Sequence, residues 1–206
     1  TDINLLTDWS VKTGMKLIQI LPVNDTTANH SWVDSYPYAA ISVQALHPIY
    51  ANLQSIGPLK DRKMQKTIDE KRRKLNEKEE VDYEAVLQLK SEFFKVSFDE
   101  KKDTFLKSAA FKSFYKANES WLLDYAVFSM LRDRYKTPDF SQWGELQTYD
   151  AKAVSAFADQ KHKDFEKVAI HFFIQFHLDQ QLKEASAYAR KNGVVLKGDI
   201  PIGIYR

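Results

Sequence analysis

The sequence predicts an α/β fold with a parallel sheet and a large, mainly helical stretch between its strands. Three observations carry this. Near the start, Ile3, Leu6, Trp9 and Val11 recur at close to helical period, and Gly14 then leads into the apolar run 16–23. Near the end, a helical pattern stops at Asn192-Gly193 and runs into Val194-Val195-Leu196. Helices that lead directly into short apolar strands mark βα units and a parallel sheet. Between the two lies a stretch of charged helical stripes.

The elements follow in order. Thr1 or Asp2 can cap the first helix, and Gly14 can close it, because a residue without Cβ adopts the left-handed cap at little cost. Lys16-Leu17-Ile18-Gln19-Ile20-Leu21-Pro22-Val23 reads as a buried strand, ended by Pro22, which has no N–H for a ladder. Residues 24–58 are loop-rich but dense in aromatics: Trp32, Tyr36, Tyr38 and Tyr50, with His30 and His47. A connector of that length is functional or disordered, and the aromatics argue against disorder. In 60–102, Met64, Ile68 and Leu75, then Val81, Ala85, Leu89, Phe93 and Val96, form helical stripes among alternating charges, interrupted at Asn76. The charge runs read as a solvated face. Residues 104–135 continue helically, with Trp121, Tyr125 and Phe128 on one stripe, Asn118 or Ser120 as cap, and Thr137-Pro138 as stop. Residues 150–178 form another helix with Phe165, Val168, Phe172 and Phe176 in register, and 180–191 continue it. The chain closes on Ile200-Pro201-Ile202-Gly203-Ile204-Tyr205-Arg206, which reads as a strand running into a loop. Three stretches result: 1–58 with the first strand and its loop, 59–150 mainly helical, and 151–206 returning to helix and strand.

Composition narrows the functions. The 206 residues are 44% hydrophobic and 13% aromatic, and 30 Lys+Arg against 28 Asp+Glu leave a net charge of +2. Such a chain folds rather than remaining disordered, and it lacks the basic excess of a dedicated nucleic-acid binder. With no cysteine, disulfides and thiolate zinc sites are excluded. The apolar runs fall short of the roughly 20 residues that span a bilayer. The five histidines form no metal-ligand spacing, and there is no GxGxxG, P-loop or GxSxG motif. A metal site is not expected.

Candidate chemistry gathers at the strand ends, where ligands meet parallel α/β folds. Gln19 lies in the first strand, Asn24-Asp25 follow it, and Asp199 follows the second strand after Gly198. A carboxylate at a buried strand end is either paired or faces a cleft. Asp199 can be such a group, or simply cap the next loop. Tyr36-Pro37-Tyr38 offers flat apolar faces with hydroxyls, which suits a sugar ring, but also fits a packed turn. The residues alone lead to part of an α/β enzyme with an aromatic loop able to take carbohydrate.

Several blocks are more specific. Gln19-Ile20-Leu21-Pro22-Val23-Asn24-Asp25-Thr26, Asp34-Ser35-Tyr36-Pro37-Tyr38, Ala45-Leu46-His47-Pro48, Val81-Asp82-Tyr83-Glu84, Trp121-Leu122-Leu123-Asp124-Tyr125-Ala126 and Gly193-Val194-Val195-Leu196-Lys197-Gly198-Asp199-Ile200-Pro201-Ile202-Gly203 resemble, in order, the 4-alpha-glucanotransferases, also called amylomaltases or disproportionating enzymes, of the alpha-amylase clan. The resemblance implies part of a (β/α)8 TIM barrel, with 17–21 as its second strand, 194–196 as its third, and a large helical insertion between them. It implies transfer of alpha-1,4-glucan segments between malto-oligosaccharides, with retention, through a covalent glycosyl-enzyme, and no metal or organic cofactor. The family's nucleophile, with its Arg-x-Asp motif, and its acid/base carboxylate do not occur in these residues, so no catalytic residue is expected in this chain. By resemblance Tyr38 and Asp199 are the substrate-binding positions, with Gln19 and Asp25 as further candidates. A cytoplasmic enzyme is expected, with a starch or maltodextrin substrate, no nucleic-acid or membrane partner, and starch-binding modules and the rest of the barrel elsewhere in a longer protein. The competing expectation is a non-catalytic carbohydrate-binding or helical interaction module built on 60–102.

Overall fold

A computed structural model describes residues 1–204. The expectation for the final strand therefore lies outside the described residues at Tyr205 and Arg206. The first helix, α1 (Asp2–Thr13), is capped by the Thr1 hydroxyl and closed by Gly14 at φ 78°. The strand β1 (Leu17–Gln19) follows. The connector contains short 3₁₀ turns at Trp32–Ser35 and Pro48–Tyr50, a two-residue strand β2 (Ala39–Ala40) and a one-turn helix α2 (Leu53–Ile56). Then come α3 (Arg62–Asn76), α4 (Tyr83–Lys107), α5 (Ala109–Ala117), α6 (Leu122–Tyr135), α7 (Ala151–Ala156) and α8 (Phe165–Lys191). The chain returns to β3 (Val195–Lys197) and β4 (Gly203–Ile204).

Both strand pairs are parallel and join distant parts of the chain. β1 pairs with β3 in the register Leu17↔Val195, Ile18↔Leu196 and Gln19↔Lys197. β2 pairs with β4, Ala39 opposite Gly203. The parallel α/β arrangement predicted from the helix-to-strand transitions is present.

The main core is helical. One cluster of buried side chains runs from Ala51 and Leu59 through Ile68, Phe93, Phe94, Phe98, Leu122 and Leu131 to Phe172, Phe173 and Leu178. It draws on all three stretches defined from the sequence. Its centre is aromatic: Phe173 lies with ring centroids 5.0 Å from Phe105, 5.7 Å from Phe98 and 6.5 Å from Phe94. Edge and tilted contacts of this kind add to area burial because ring quadrupoles attract in those orientations. A smaller cluster of Ile18, Ala189 and Val194 seats the β1–β3 pair on α8.

Several local expectations need correction. The 16–23 run is not a fully buried strand: Ile18 is buried, but Leu17 and Leu21 are exposed, because the described residues place only one neighbour beside β1. The helix expected over 150–178 is interrupted between α7 and α8, where 159–164 is entirely polar and offers no apolar stripe to bury. Neither Asn118 nor Ser120 caps α6 with its side chain. Trp121 holds the cap position, and the Asn118 carbonyl accepts from the Trp121 and Leu122 N–H groups at 3.2 and 3.0 Å. Val81 precedes α4 and is exposed.

Candidate functional site

The carboxyl ends of β1 and β3 open toward one place. After β1 the chain enters the loop 20–47, and after β3 it enters 198–202. Parallel strands put their loops on the same edge, where α/β folds build sites. Here the two loops meet and form the second parallel pair. The Gly203 N–H donates to the Tyr38 carbonyl at 2.9 Å. A Cβ on Gly203 would lie 2.5 Å from that carbonyl oxygen, a distance real Cβ atoms do not show, so the approach requires glycine. Gly203→Ala is expected to part the strands, read as lost hydrogen-exchange protection of the amide at position 203; retained protection would contradict this.

This junction brings Tyr38 and Asp199 together. The Tyr38 hydroxyl donates to Asp199 Oδ2 at 2.8 Å, and the Ile200 N–H donates to Oδ1 at 3.0 Å. Hydrogen bonding to the Asp199 carboxylate holds the Tyr38 phenol above its ordinary pKa, so it stays a donor at neutral pH. The Tyr36 ring stands 5.7 Å from that of Tyr38. Tyr36 and Trp32 are 61% and 67% exposed, so the loop shows open aromatic faces. Gln19 sits at the end of β1, exposed, and accepts from Lys197 Nζ at 3.3 Å across the strand pair.

Asp25 is placed differently. It is 1% exposed, and its oxygens are taken up internally. Oδ1 accepts from the Thr27 N–H at 2.9 Å and hydroxyl at 2.6 Å; Oδ2 accepts from the Tyr125 hydroxyl at 2.7 Å. Thus Tyr38 and Asp199 touch, Gln19 lies on the same strand edge, and Asp25 faces the helices instead of solvent.

A buried polar network surrounds Asp25 that the sequence reading did not single out. Gln175 of α8 clamps Leu46, accepting from its N–H and donating to its carbonyl, both at 2.8 Å. His47 Nδ1 accepts from the Ile49 N–H at 3.1 Å, which leaves the proton on Nε2 to donate to the Tyr83 hydroxyl at 2.7 Å. Tyr83 in turn donates to the Asp34 carbonyl at 3.2 Å. Burial keeps His47 neutral by lowering its pKa. Arg132 of α6 donates to the Thr27 carbonyl and to Asp133. Burial alone would raise the Asp133 pKa, but the His30 hydrogen bond and the Arg132 guanidinium outweigh it and hold the carboxyl below its usual range. One signal for this network was visible: Gln175 interrupts the apolar run Phe172-Phe173-Ile174, where an unpartnered amide would be costly.

Among the described residues no group of three or more His, Asp or Glu could hold a metal ion. Among the same residues no helix is long and apolar enough to cross a membrane.

Fold and site together define a partial amylomaltase fold, a mostly helical α/β unit with an aromatic, carboxylate-bearing strand edge. An amylomaltase from Streptococcus agalactiae, solved in complex with acarbose, superposes with a TM-score of 0.75 at 19% identity, over 99% of this chain and 39% of that one. The amylomaltase of Corynebacterium glutamicum gives 0.71 at 18%, over 99% of this chain and 27% of that one. The profile of the 4-alpha-glucanotransferase family matches residues 1–206, and the chain belongs to that family. It is 42% identical over 205 residues to the rice 4-alpha-glucanotransferase DPE2, covering 100% of this chain and 22% of the relative. It is 30% identical to the 4-alpha-glucanotransferase of Chlamydia pneumoniae, covering 98% and 37%. The chain thus spans between about a fifth and two fifths of these curated relatives.

Proposed function

We propose that this chain is the part of a 4-alpha-glucanotransferase that presents an acceptor-and-donor glucan to catalytic carboxylates located outside it. In this reading β1 and β3 are the second and third strands of a (β/α)8 barrel, and 59–150 is the helical insertion between them. The reaction transfers an alpha-1,4-glucan segment between malto-oligosaccharides, with retention, through a covalent glycosyl-enzyme. No cofactor takes part. Starch-binding modules and the rest of the barrel act with this chain in a cytoplasmic enzyme.

The observation that carries the reading is the Tyr38–Asp199 pair. The Tyr38 ring supplies a flat apolar face for a pyranose. Its hydroxyl oxygen, whose proton is held by Asp199, and the Asp199 carboxylate oxygens supply acceptors for the sugar's hydroxyl rim. Gln19 adds a neutral amide on the same edge. Asp25 contributes through the loop it holds. A non-catalytic helical module on 60–102 is not favoured, because the polar and aromatic groups converge at the strand ends and not on the charged helices.

Tyr38→Ala and Asp199→Ala are each expected to weaken maltoheptaose binding on the order of tenfold or more, the scale of one lost stacking or charge-assisted contact. Isothermal titration with circular dichroism as the folding control measures this. Wild-type affinity in both folded variants would overturn the reading.

A further inference from the structure

The helices and the sugar-facing loop meet at one buried node. Asp25, Tyr125 and Gln175 are 1%, 8% and 1% exposed. The Tyr125 hydroxyl donates to Asp25 Oδ2 at 2.7 Å and accepts from Gln175 Nε2 at 3.3 Å. Burial, then the Asp25 charge, holds the Tyr125 phenol well above its ordinary pKa, so it remains a donor.

From this node hydrogen bonds reach Ile41, and the short backbone of β2 connects Ile41 to the candidate site. The Asp25 carbonyl accepts from the Ile41 N–H at 2.8 Å, and the Asp25 N–H donates to the Ala45 carbonyl at 2.8 Å. Ile41 directly follows β2, β2 pairs with β4, and Tyr38 directly precedes β2. Gln175 holds Leu46, next to Ala45, through both of its backbone polar groups. Two helices, α6 and α8, thereby fix both ends of the segment 25–46 that carries Tyr38.

We propose that Tyr125 is a positioning residue for the Tyr38–Asp199 pair, acting through Asp25 and β2, with Gln175 setting the same loop from its other end. This rests on the reading of that pair as the glucan contact. The physical reason lies in the cost of an unpaired buried acceptor. Without the Tyr125 hydroxyl, Asp25 Oδ2 has lost its donor in a site closed to water. The carboxylate regains solvation by moving the loop outward, and its backbone bonds to Ile41 and Ala45 carry β2 with it. Tyr38 then no longer meets Asp199 at hydrogen-bond distance.

A double-mutant cycle on maltoheptaose affinity tests this, because residues acting through one another fail to add whereas independent ones do. Tyr125→Phe is expected to weaken binding roughly three- to tenfold with unchanged circular dichroism, and to cause no further loss in a Tyr38→Ala background. Losses that multiply, or wild-type affinity in Tyr125→Phe, overturn the positioning role. If Tyr125→Phe does not fold, Gln175→Met is read in the same cycle with the same expectations. The two readings fail separately. Wild-type affinity in Tyr38→Ala overturns the glucan contact itself, whereas weak binding in Tyr38→Ala with independent behaviour of Tyr125→Phe overturns only the positioning role.

Discussion

Lowering the pH from 7 to 5 is expected to destabilise the fold by up to about 4 kcal/mol, with His171 and His177 supplying most of it. Burial lowers both pKa values to about 4, and a cation reinforces the shift in each case: Arg132 beside His171 and Lys101 beside His177. At His171 the neighbouring Asp133 opposes this without reversing it. An unfolded histidine titrates near 6.5. Between pH 6.5 and 4 the unfolded chain therefore binds protons that the folded chain refuses, so stability falls as pH falls through that window. At pH 5 the linkage relation gives on the order of 2 kcal/mol per histidine. The neutral, buried His47 acts in the same direction. For a domain of this size the total corresponds to a fall in thermal midpoint of about 10 °C. His177→Leu should remove close to half of that pH dependence. A thermal midpoint that is flat from pH 7 to 5 would contradict the neutral, half-buried state of these rings.

Phe173→Ala is expected to cost about 3–5 kcal/mol, the range for removing a fully buried phenyl ring. Phe173 is 1% exposed, and its ring touches Phe98, Phe105 and His177, the last at a centroid distance of 4.4 Å. Its neighbours come from α4 and from α8 itself, so they are held by their own helices and cannot collapse into the space. The loss includes the transfer free energy of the ring and the cavity left behind. Chemical denaturation should show a lower midpoint with an unchanged slope. A cost below about 1 kcal/mol would mean that the aromatic centre repacks freely. Phe173→Leu, which keeps most of the volume, should recover most of the stability.

The helical part was legible where periodicity was strong. Phe165, Val168, Phe172 and Phe176 announce α8, and Gly14 and Asn192-Gly193 mark helix ends that the structure reproduces. The break between α7 and α8 was hidden because Phe157 and Phe165 keep helical spacing across it, while only the polar run between them says otherwise. β2 and β4 were hidden for a different reason. Two-residue strands carry no alternation, and Ala39-Ala40 and Gly203-Ile204 become strands only by finding each other across the fold. At the site, Tyr38 and Asp199 stood out as an aromatic and a carboxylate at strand ends, but their contact depends on that same long-range pairing. Asp25 stood as a further candidate in the sequence, since its neighbours Asn24 and Thr26 give no hint of burial. Its partner Tyr125 lies 100 residues away, on a helical stripe with Trp121 and Phe128.

The Tyr38–Asp199 bond joins residues 161 apart in the chain. Closing a flexible loop of that length carries a large entropic penalty, and the contact it would gain is a single hydrogen bond at a half-open edge. The helices between the two residues change this balance by shortening the path and burying their own aromatic centre. Assembly is therefore ordered. Local helical contacts form on the fast side of the folding timescale, and the distant parallel pairs close after them. The strand-end edge that carries Tyr38 and Asp199 is then the last part of the molecule to acquire its shape.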